Sequence, residues 1–377
     1  MANKRLPRIA LIFGGRGLES DISVIGAENL FGLIDEKRYE KIPVFIDKRG
    51  RFLVSLDKSI TPSALASDTS VASEAYPALR GGVGGFILGD EFLEIDAAFP
   101  LLHGDFGEDG RVQGALECAG ISFVGCDTPS GAICRDKTVV KAVAERLGIP
   151  TVRCVDARLG DRDAVFRAEE RLTYPMFVKP ARLGSSIGAG IASDRRELKK
   201  RLDYALTLDS VALIEEKIDT LCEMECGYFS AMGRQIFTEP GEIRSHGFYD
   251  YEKKYGGLKI QNDLLGSKPS SEFGIQNDLS GSKPKPENEI SVSSTVDKAV
   301  CSQIQDYAAR LVRALGVRDI SRIDFFLSKD GRLYFNEINT MPGFTDASLY
   351  LKMLERVGIA PSVAVSLLIE NALQRRS

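Results

Sequence analysis

The chain has 377 residues, more than a single hydrophobic core serves, so two or three domains are expected and a small disulfide-stapled scaffold is excluded. Hydrophobic residues make up 44% and charged residues 27%, ordinary values that exclude disorder as the main state. With 49 Lys and Arg against 53 Asp and Glu the net charge is −4, so no general basic field draws the chain to nucleic acid or to an anionic membrane.

Arg8 to Phe13 is an apolar, β-branched run that stops at Gly14-Gly15-Arg16-Gly17, and Ile22 to Ile34 repeats apolar residues at helical spacing. This predicts a strand, a glycine loop and a helix. Further strands are expected at Ile42–Ile46, Ile95–Leu102 and Ile121–Val124, with a helix over Val112–Ala119. Residues 1–125 thus read as an open, mostly parallel α/β domain, whose ligands collect beyond the carboxyl ends of the strands, where Glu19 and His103 lie. A helix over Lys137–Leu147 and a strand over Tyr174–Val178 lead into the loop Lys179-Pro-Ala-Arg-Leu-Gly184-Ser185-Ser186-Ile-Gly188, within a small α+β region at 126–215. Strands at Val211–Glu216 and Glu223–Ala231, a long polar segment and a helix over Ala299–Leu315 open the last region, 216–377.

The polar segment holds a tandem duplication: Ile260 to Pro269 recurs as Ile275 to Pro284 with nine of ten positions the same. A Gly, Ser and Pro-rich duplication of this kind reads as a surface-loop insertion, because lengthening a loop costs only ~0.6 kcal/mol per doubling. Seven cysteines without a CxxC spacing and two histidines are read as reduced thiols in a cytoplasmic protein, with no zinc site. No apolar run reaches the ~18 residues of a membrane span.

The stretch from Ser321 to Asn339 alternates, turns at Asp330-Gly331 and alternates again, the pattern of a two-residue hairpin that pairs Lys329 with Arg332. Asp324 then faces Glu337 and Arg322 faces Asn339, all four on one face. Two opposed carboxylates with an amide oxygen invite a hard divalent cation, and Mg²⁺ completes its shell with water and phosphate oxygens. Lys179 ahead of the Gly184–Gly188 loop resembles a phosphate cradle in kind, though the P-loop order is absent. After Asn339, Gly343 with a cap at Thr345 or Asp346 is expected to open a further helix.

Together these pieces resemble the D-alanine–D-alanine ligase family of the ATP-grasp superfamily, nearly end to end. The resemblance rests on six motifs in order: Gly14 to Ser23, His103 to Gly110, Asp136-Lys137, the Lys179–Gly188 loop, Phe248 to Tyr255, and Arg322-Ile-Asp324 with Asn336 to Gly343. It implies an N-terminal α/β domain (1–125) followed by an ATP-grasp fold of two subdomains (126–215 and 216–377), the second carrying a lid loop at about 241–292 and the metal-binding hairpin. By the resemblance, ATP is held by Lys137, Lys179, Ser185, Ser186, Glu216, Lys217, Ile218, Glu223, Phe248, Lys254, Asn336 and Glu337. Asp324, Glu337 and Asn339 would hold two Mg²⁺ or Mn²⁺ ions. Glu19 would accept the first D-alanine's ammonium in a network with Ser185 and Tyr255. Arg322 and the Gly343 amide would form an oxyanion site, with His103 nearby and Ser348 and Leu349 at the second substrate.

The implied reaction joins two D-alanines through an acyl phosphate, for peptidoglycan precursor synthesis in the cytoplasm, by a homodimer. Two alternatives remain: a D-alanine–D-serine ligase, and a non-catalytic nucleotide-binding regulator on the same scaffold. A lactate-forming ligase is disfavoured because Lys254-Tyr255 is present, and Thr220-Leu-Cys222 departs from the family's usual Gly-containing turn. The duplicated segment is expected to change the rate of lid closure and leave the chemistry alone.

Overall fold

The computed structural model describes residues 5–17, 19–244, 289–292, 295–345 and 348–375. Its first sheet is built from β1 (Arg8–Gly14), β2 (Glu40–Ile46), β3 (Phe52–Val54), β4 (Ser73–Arg80), β5 (Val83–Leu88), β6 (Glu91–Glu94) and β7 (Ala97–Pro100), in the order 6-5-4-3-2-1-7. β1 is buried along its length and pairs in parallel with β2 and β7, so the expected α/β centre is there. β3 to β6 extend it as an antiparallel ribbon, which residues 52–94 do not announce because Gly84, Gly85 and the polar faces blur their alternation. The strand expected at Ile121–Val124 is reduced to one bridge, Phe123 to Ala98. α1 (Ser20–Leu33), α2 (Pro62–Ser67) and α3 (Arg111–Cys118) accompany this sheet. Where β1 ends, Gly14 sits at φ 92, and a Cβ there would strike the Ile46 carbonyl at 2.5 Å. The buried Ser23 hydroxyl, on α1, accepts from the Gly14 amide at 2.8 Å and donates to the Leu101 carbonyl at 2.5 Å, fixing the glycine loop over the strand ends.

α4 (Thr128–Arg135) and α5 (Lys137–Arg146) meet at Asp136, whose carboxylate accepts from the Thr138 amide at 2.9 Å and caps α5. A four-stranded antiparallel sheet follows: β8 (Cys154–Arg158), β9 (Met176–Pro180), β10 (Gly190–Ala192) and β11 (Val211–Glu216), in the order 10-9-11-8. β9 lies two residues beyond the expected start, which leaves Tyr174 outside it and Lys179 within it. α6 (Ala164–Arg171) and α7 (Arg195–Leu208) cover one face with Ala168, Leu198 and Leu202 against Val155, Val178 and Ile214.

The third sheet comprises β12 (Thr220–Ala231), β13 (Arg234–Phe237), β14 (Gly241–Arg244), β15 (Glu289–Ser291), β16 (Ile320–Ser328) and β17 (Leu333–Asn339), in the order 15-14-12-16-17 with β13 beside β12. α8 (Lys298–Leu315) has clean limits, an Asp297 cap and a left-handed Gly316, and its stripe of Ile304, Ala308, Leu311 and Leu315 packs on Phe325 and Phe335. α9 (Leu349–Arg356) begins after Ser348, correcting the cap expected at Thr345 or Asp346, and α10 (Pro361–Arg375) ends the described chain.

The hairpin needs a correction whose two parts cancel. The Ser328 amide donates to the Arg332 carbonyl at 2.9 Å, so the loop has three residues, 329–331, with Gly331 at φ 83; Lys329 does not pair with Arg332. Leu327 to Phe325 then pair with Leu333 to Phe335, one residue off the expected register. A bulge between Asp324 and Phe325 sets Asn336 aside and restores the pairs Asp324–Glu337, Ile323–Ile338 and Arg322–Asn339. The site end of the hairpin is therefore as expected, for a reason the turn sequence does not contain.

The last helix closes back on the first sheet. Ala364, Val365, Leu368 and Ile369 of α10 share a core with Ile9, Leu11, Phe13 and Phe99. The joint is tied by Asp319, 1% exposed, whose carboxylate accepts from the Gly125 amide (2.7 Å), Asn371 (2.7 Å) and both terminal nitrogens of Arg375 (2.9 and 2.7 Å). A buried carboxylate with four such donors is costly to remove because its cation stays behind. Asp319→Ala is expected to lower unfolding stability by about 3 kcal/mol, read as a lower midpoint in urea, whereas Asp330→Ala at the exposed hairpin tip should move it little.

Candidate active site

A continuous polar network runs from the glycine loop after β1 to the bulged hairpin. It begins at Glu19, whose carboxylate accepts a short hydrogen bond from the Ser185 hydroxyl and lies 4.0 Å from Arg135. Gly104, at φ 71, presses against Glu19 so closely that a Cβ there would collide with the carboxylate. Arg135, at the end of α4, also meets Glu108 at 3.2 Å and Asp105 at 3.9 Å. Although burial works against its charge, these carboxylates raise the Arg135 pKa above its ordinary value. His103 follows the end of β7, and among the described residues its buried Nε2 has no hydrogen-bond partner.

The loop Gly184–Gly188 carries Ser185 at φ 51 and Ser186 at φ 58, with Gly188 at φ 74. Non-glycine residues held left-handed cost of order 1 kcal/mol or more each, and such strain clusters at binding sites. The loop is anchored by Lys137, whose ammonium donates to the Leu183 carbonyl at 2.7 Å and pairs with Glu337 at 3.2 Å. Lys137 is buried, and loss of water lowers its pKa against the pull of Glu337. A crevice lined by Glu108, Arg135, Lys137, Glu337, Asn339 and Thr340 joins the two halves of the network.

Within the hairpin, the bulge turns two consecutive residues toward the site: Asn336 accepts from Lys179 at 3.2 Å while Glu337 meets Lys137. Register aligns Glu225, Asp324 and Glu337 in one row across β12, β16 and β17. Arg322 grips Asp324 with two hydrogen bonds, of 2.8 and 2.7 Å, and lies 3.3 Å from Glu225; the Asn339 amide donates to Asp324 at 3.1 Å. Burial opposes the Arg322 charge, but Asp324 and Glu225 overcome it and raise its pKa well above the ordinary value. Among the described residues no three His, Cys, Asp or Glu side chains are gathered as a metal site. Asp324 and Glu337 of this row, with Asn339, offer two hard carboxylates and an amide oxygen on a sheet face, a donor set that suits a divalent cation whose remaining ligands come from phosphate and water.

The expected nucleotide residues at the edge of this network are spread along β11 and β12. Glu216 accepts from Thr173 at 3.1 Å, Lys217 is exposed, Ile218 is half-buried in the link to β12, and Glu223 sits half-buried on β12 between Phe326 and Ile243. Ser348 donates to the Gly343 carbonyl at 2.5 Å, which folds the segment after β17 back on itself. Leu349 is turned into a small cluster with Ile243 and Met353, so its side chain is core and only its backbone is left to serve a ligand. Phe248, Lys254 and Tyr255, and the duplicated segment, lie outside the described residues.

Sequence reasoning missed Arg135, Lys141, Glu215 and Glu225, and left Glu108 without a role. Each had a visible cue: Arg135 adjoins Asp136-Lys137, Lys141 lies one helical turn after Lys137, Glu215 precedes Glu216, and Glu225 follows Glu223 at strand spacing. Glu215 is 4% exposed and stands between Lys141 (2.5 Å) and Lys179 (2.8 Å). Burial raises its pKa, yet the two ammoniums prevail and hold the carboxyl at about 2.

Two family models match the chain, "D-ala D-ala ligase N-terminus" over residues 8–126 and "D-ala D-ala ligase C-terminus" over 143–272 and 278–370. The second breaks at 273–277, a gap that takes in the first three residues of the second copy of the duplication. The chain is 36% identical to D-alanine–D-alanine ligase A of Mesorhizobium japonicum, over 99% of both chains. Among solved structures it is similar to the VanG D-Ala:D-Ser ligase of Enterococcus faecalis, with a TM-score of 0.82, 30% identity, and coverage of 98% of this chain and 100% of that one. It is also similar to the D-alanine–D-alanine ligase of Coxiella burnetii, with a TM-score of 0.80, 26% identity, and coverage of 99% and 95%.

The depressed Glu215 carboxyl generates a test. A group with a lowered folded pKa adds stability that is present above its unfolded value, near 4.5, and is lost as pH falls toward about 2. Between those values the protein is expected to lose up to about 3 kcal/mol through this group. Acid titrations of stability should show that segment of the slope in the native chain and its loss in Glu215→Gln.

Proposed function

The chain belongs to the D-alanine–D-alanine ligase family, and on that premise we propose how its residues divide the work of joining two D-alanines into D-alanyl-D-alanine with ATP. The observation that carries the reading is the unbroken network from Glu19 through Ser185 and the Leu183 carbonyl to Lys137 and Glu337, because it joins an amino-acid subsite to a phosphate subsite. The three units of the fold are taken as 1–125, 126–215 and 216–377.

Glu19 accepts the ammonium of the first D-alanine and turns its carboxylate toward the nucleotide. Lys137 and Lys179, with the amides and hydroxyls of Ser185 and Ser186, hold the ATP phosphates, while Glu216, Lys217, Ile218, Glu223 and Phe248 line the base and ribose. Asp324, Glu337 and Asn339 would hold two Mg²⁺ ions, which supply positive charge against the transferring phosphate oxygens. A carboxylate oxygen of the first D-alanine attacks the γ-phosphorus, the bond to the bridging oxygen breaks, and ADP leaves with that electron pair. The amine of the second D-alanine, as the free base, then attacks the acyl carbon. Arg322 and the Gly343 amide stabilise the oxyanion, and phosphate departs as the amide forms and the amine proton is lost. His103 lies beside that oxyanion, and Ser348 and the Leu349 amide grip the second carboxylate.

An acyl phosphate hydrolyses in water, so the segment bearing Lys254 and Tyr255 closes over the site. A second reading, D-serine as the second substrate, is favoured by the likeness to the VanG D-Ala:D-Ser ligase. A homodimer in the cytoplasm completes the proposal.

Phosphate release from ATP with magnesium, with products identified by mass, tests the assignment. D-alanine alone should support turnover and yield the dipeptide; a mixed product from D-alanine plus D-serine as the main species would change the second substrate and keep the mechanism. Nucleotide binding with no turnover would refute catalysis. Arg322→Met is expected to lower kcat by about 10²–10³, and Glu19→Gln to raise KM chiefly for the first D-alanine.

A further inference from the structure

We infer that Asn29 of α1 is a positioning residue for the second half of the reaction, holding the segment that carries the Gly343 amide against the N-terminal domain. The inference deepens the ligase reading and rests on it for the identity of the substrates.

The pattern of α1 already singles the residue out. Asn29 lies three positions after Gly26 and seven after Ile22, on the buried stripe of the helix, where a side-chain amide needs a partner. Ala27 and Leu30, on either side of it in sequence, belong to the core of the first sheet. Asparagine is also a poor residue for a helix interior, because its side chain competes for backbone groups. Here that side chain reaches a distant part of the chain: its amide nitrogen donates to the Phe344 carbonyl at 2.6 Å. The Phe344 ring is buried in the same core, edge-on to Phe99 of β7 at 5.6 Å and 6.3 Å from Tyr350 of α9. Phe344 is thus held to the N-terminal domain by its backbone through Asn29 and by its ring through Phe99.

Gly343 has no side chain to fix it, so the direction of its amide is set by its neighbours. Pro342 before it is buried, and the Gly343 carbonyl accepts from the Ser348 hydroxyl at 2.5 Å. The next carbonyl along the chain is the one that Asn29 holds. Two consecutive carbonyls bound by side chains of different elements leave the backbone at Gly343 little room to turn. α1 therefore serves both ends of the amino-acid site: Glu19 at its N-cap meets Ser185, and Asn29, about 15 Å further along at 1.5 Å per residue, steadies the oxyanion segment. Since its amide is committed to a backbone carbonyl, Asn29 acts on the reaction through that segment. Loss of the contact would misplace a donor to the tetrahedral oxyanion, and the second step would suffer more than phosphoryl transfer, which does not use that donor.

The test uses the full chain and two readouts. In steady-state kinetics with ATP and magnesium, Asn29→Ala is expected to lower kcat, and kcat/KM for the second D-alanine, about tenfold, with KM for ATP and for the first D-alanine unchanged. Alanine favours a helix interior, so this variant should fold. Asn29→Asp keeps the shape without the donor and should lose at least as much, whereas Asn29→Gln keeps the amide on a longer stem and should recover part of the rate. In hydrogen exchange of the free protein, the amides of residues 341–345 should exchange about tenfold faster in Asn29→Ala, with β16 and β17 unchanged. Native kinetics toward the second D-alanine in folded Asn29→Ala would overturn the inference, and so would unchanged exchange at 341–345. Equal losses toward ATP and both D-alanines would mark a general structural defect and overturn it as well. If exchange quickens at 341–345 but the native chain makes no dipeptide, the ligase reading falls and this role in the reaction falls with it; a native chain that makes dipeptide and variants that match it overturn the inference alone.

Discussion

A charged amine taken out of water must find a counter-charge, and among the described residues three lysines, Lys137, Lys141 and Lys179, are buried. Lys137 and Lys141 lie one turn apart on α5 and reach different elements: the first meets Glu337 of β17, the second Glu215 of β11. Lys179 of β9 meets Glu215 and Asn336. Helix, antiparallel sheet and hairpin are thus held in mutual position by electrostatic need as much as by apolar packing. Among Lys137, Lys141, Lys179, Glu215 and Glu337 positive charge outnumbers negative by one, which suits the phosphate subsite proposed above. Binding and folding draw on one set of groups.

The other half of the network adds steric constraint to the ion pairs of Arg135. Glu19 is enclosed by Gly104, where a side chain would collide with its carboxylate, and by Ser185, whose left-handed backbone aims its hydroxyl at that carboxylate. Phe106, also left-handed at φ 69, is stacked between the guanidiniums of Arg16 and Arg111 at 4.5 and 4.4 Å, which ties the His103–Gly110 loop to the glycine loop and to α3. Loops that carry chemistry need such external restraint, since they lack a ladder of their own.

Much of this was legible in the residues. Period-two alternation on either side of Asp330-Gly331 put Arg322, Asp324, Glu337 and Asn339 on one face, but their pairing came out as expected only because the three-residue loop and the bulge offset each other. What alternation does not carry is a bulge, which depends on local twist and on what Asn336 can reach across the cleft, so the three-residue loop and the extra residue were both invisible. Arg135 and Glu215 escaped for a different reason: their partners are distant in sequence, and buried ion pairs leave no periodic trace. Leu349 was read as a ligand contact through the resemblance, while its side chain serves the Ile243 cluster.

The meeting of the two ends of the chain has a consequence for how the protein is made. One face of the first sheet, with Ile9, Leu11, Phe13 and Phe99, is covered by α10, and Arg375 is tied to Asp319 and to the Phe123 carbonyl. On the ribosome, which delivers chain at roughly 5–20 residues per second, that apolar face emerges well before the helix that covers it. The first sheet can acquire its hydrogen bonds during synthesis, but it remains a sticky intermediate until the final helix is released. A part made early is completed only when a helix made much later arrives, and the interval between the two is when a chaperone, or a neighbouring nascent chain, has its opportunity.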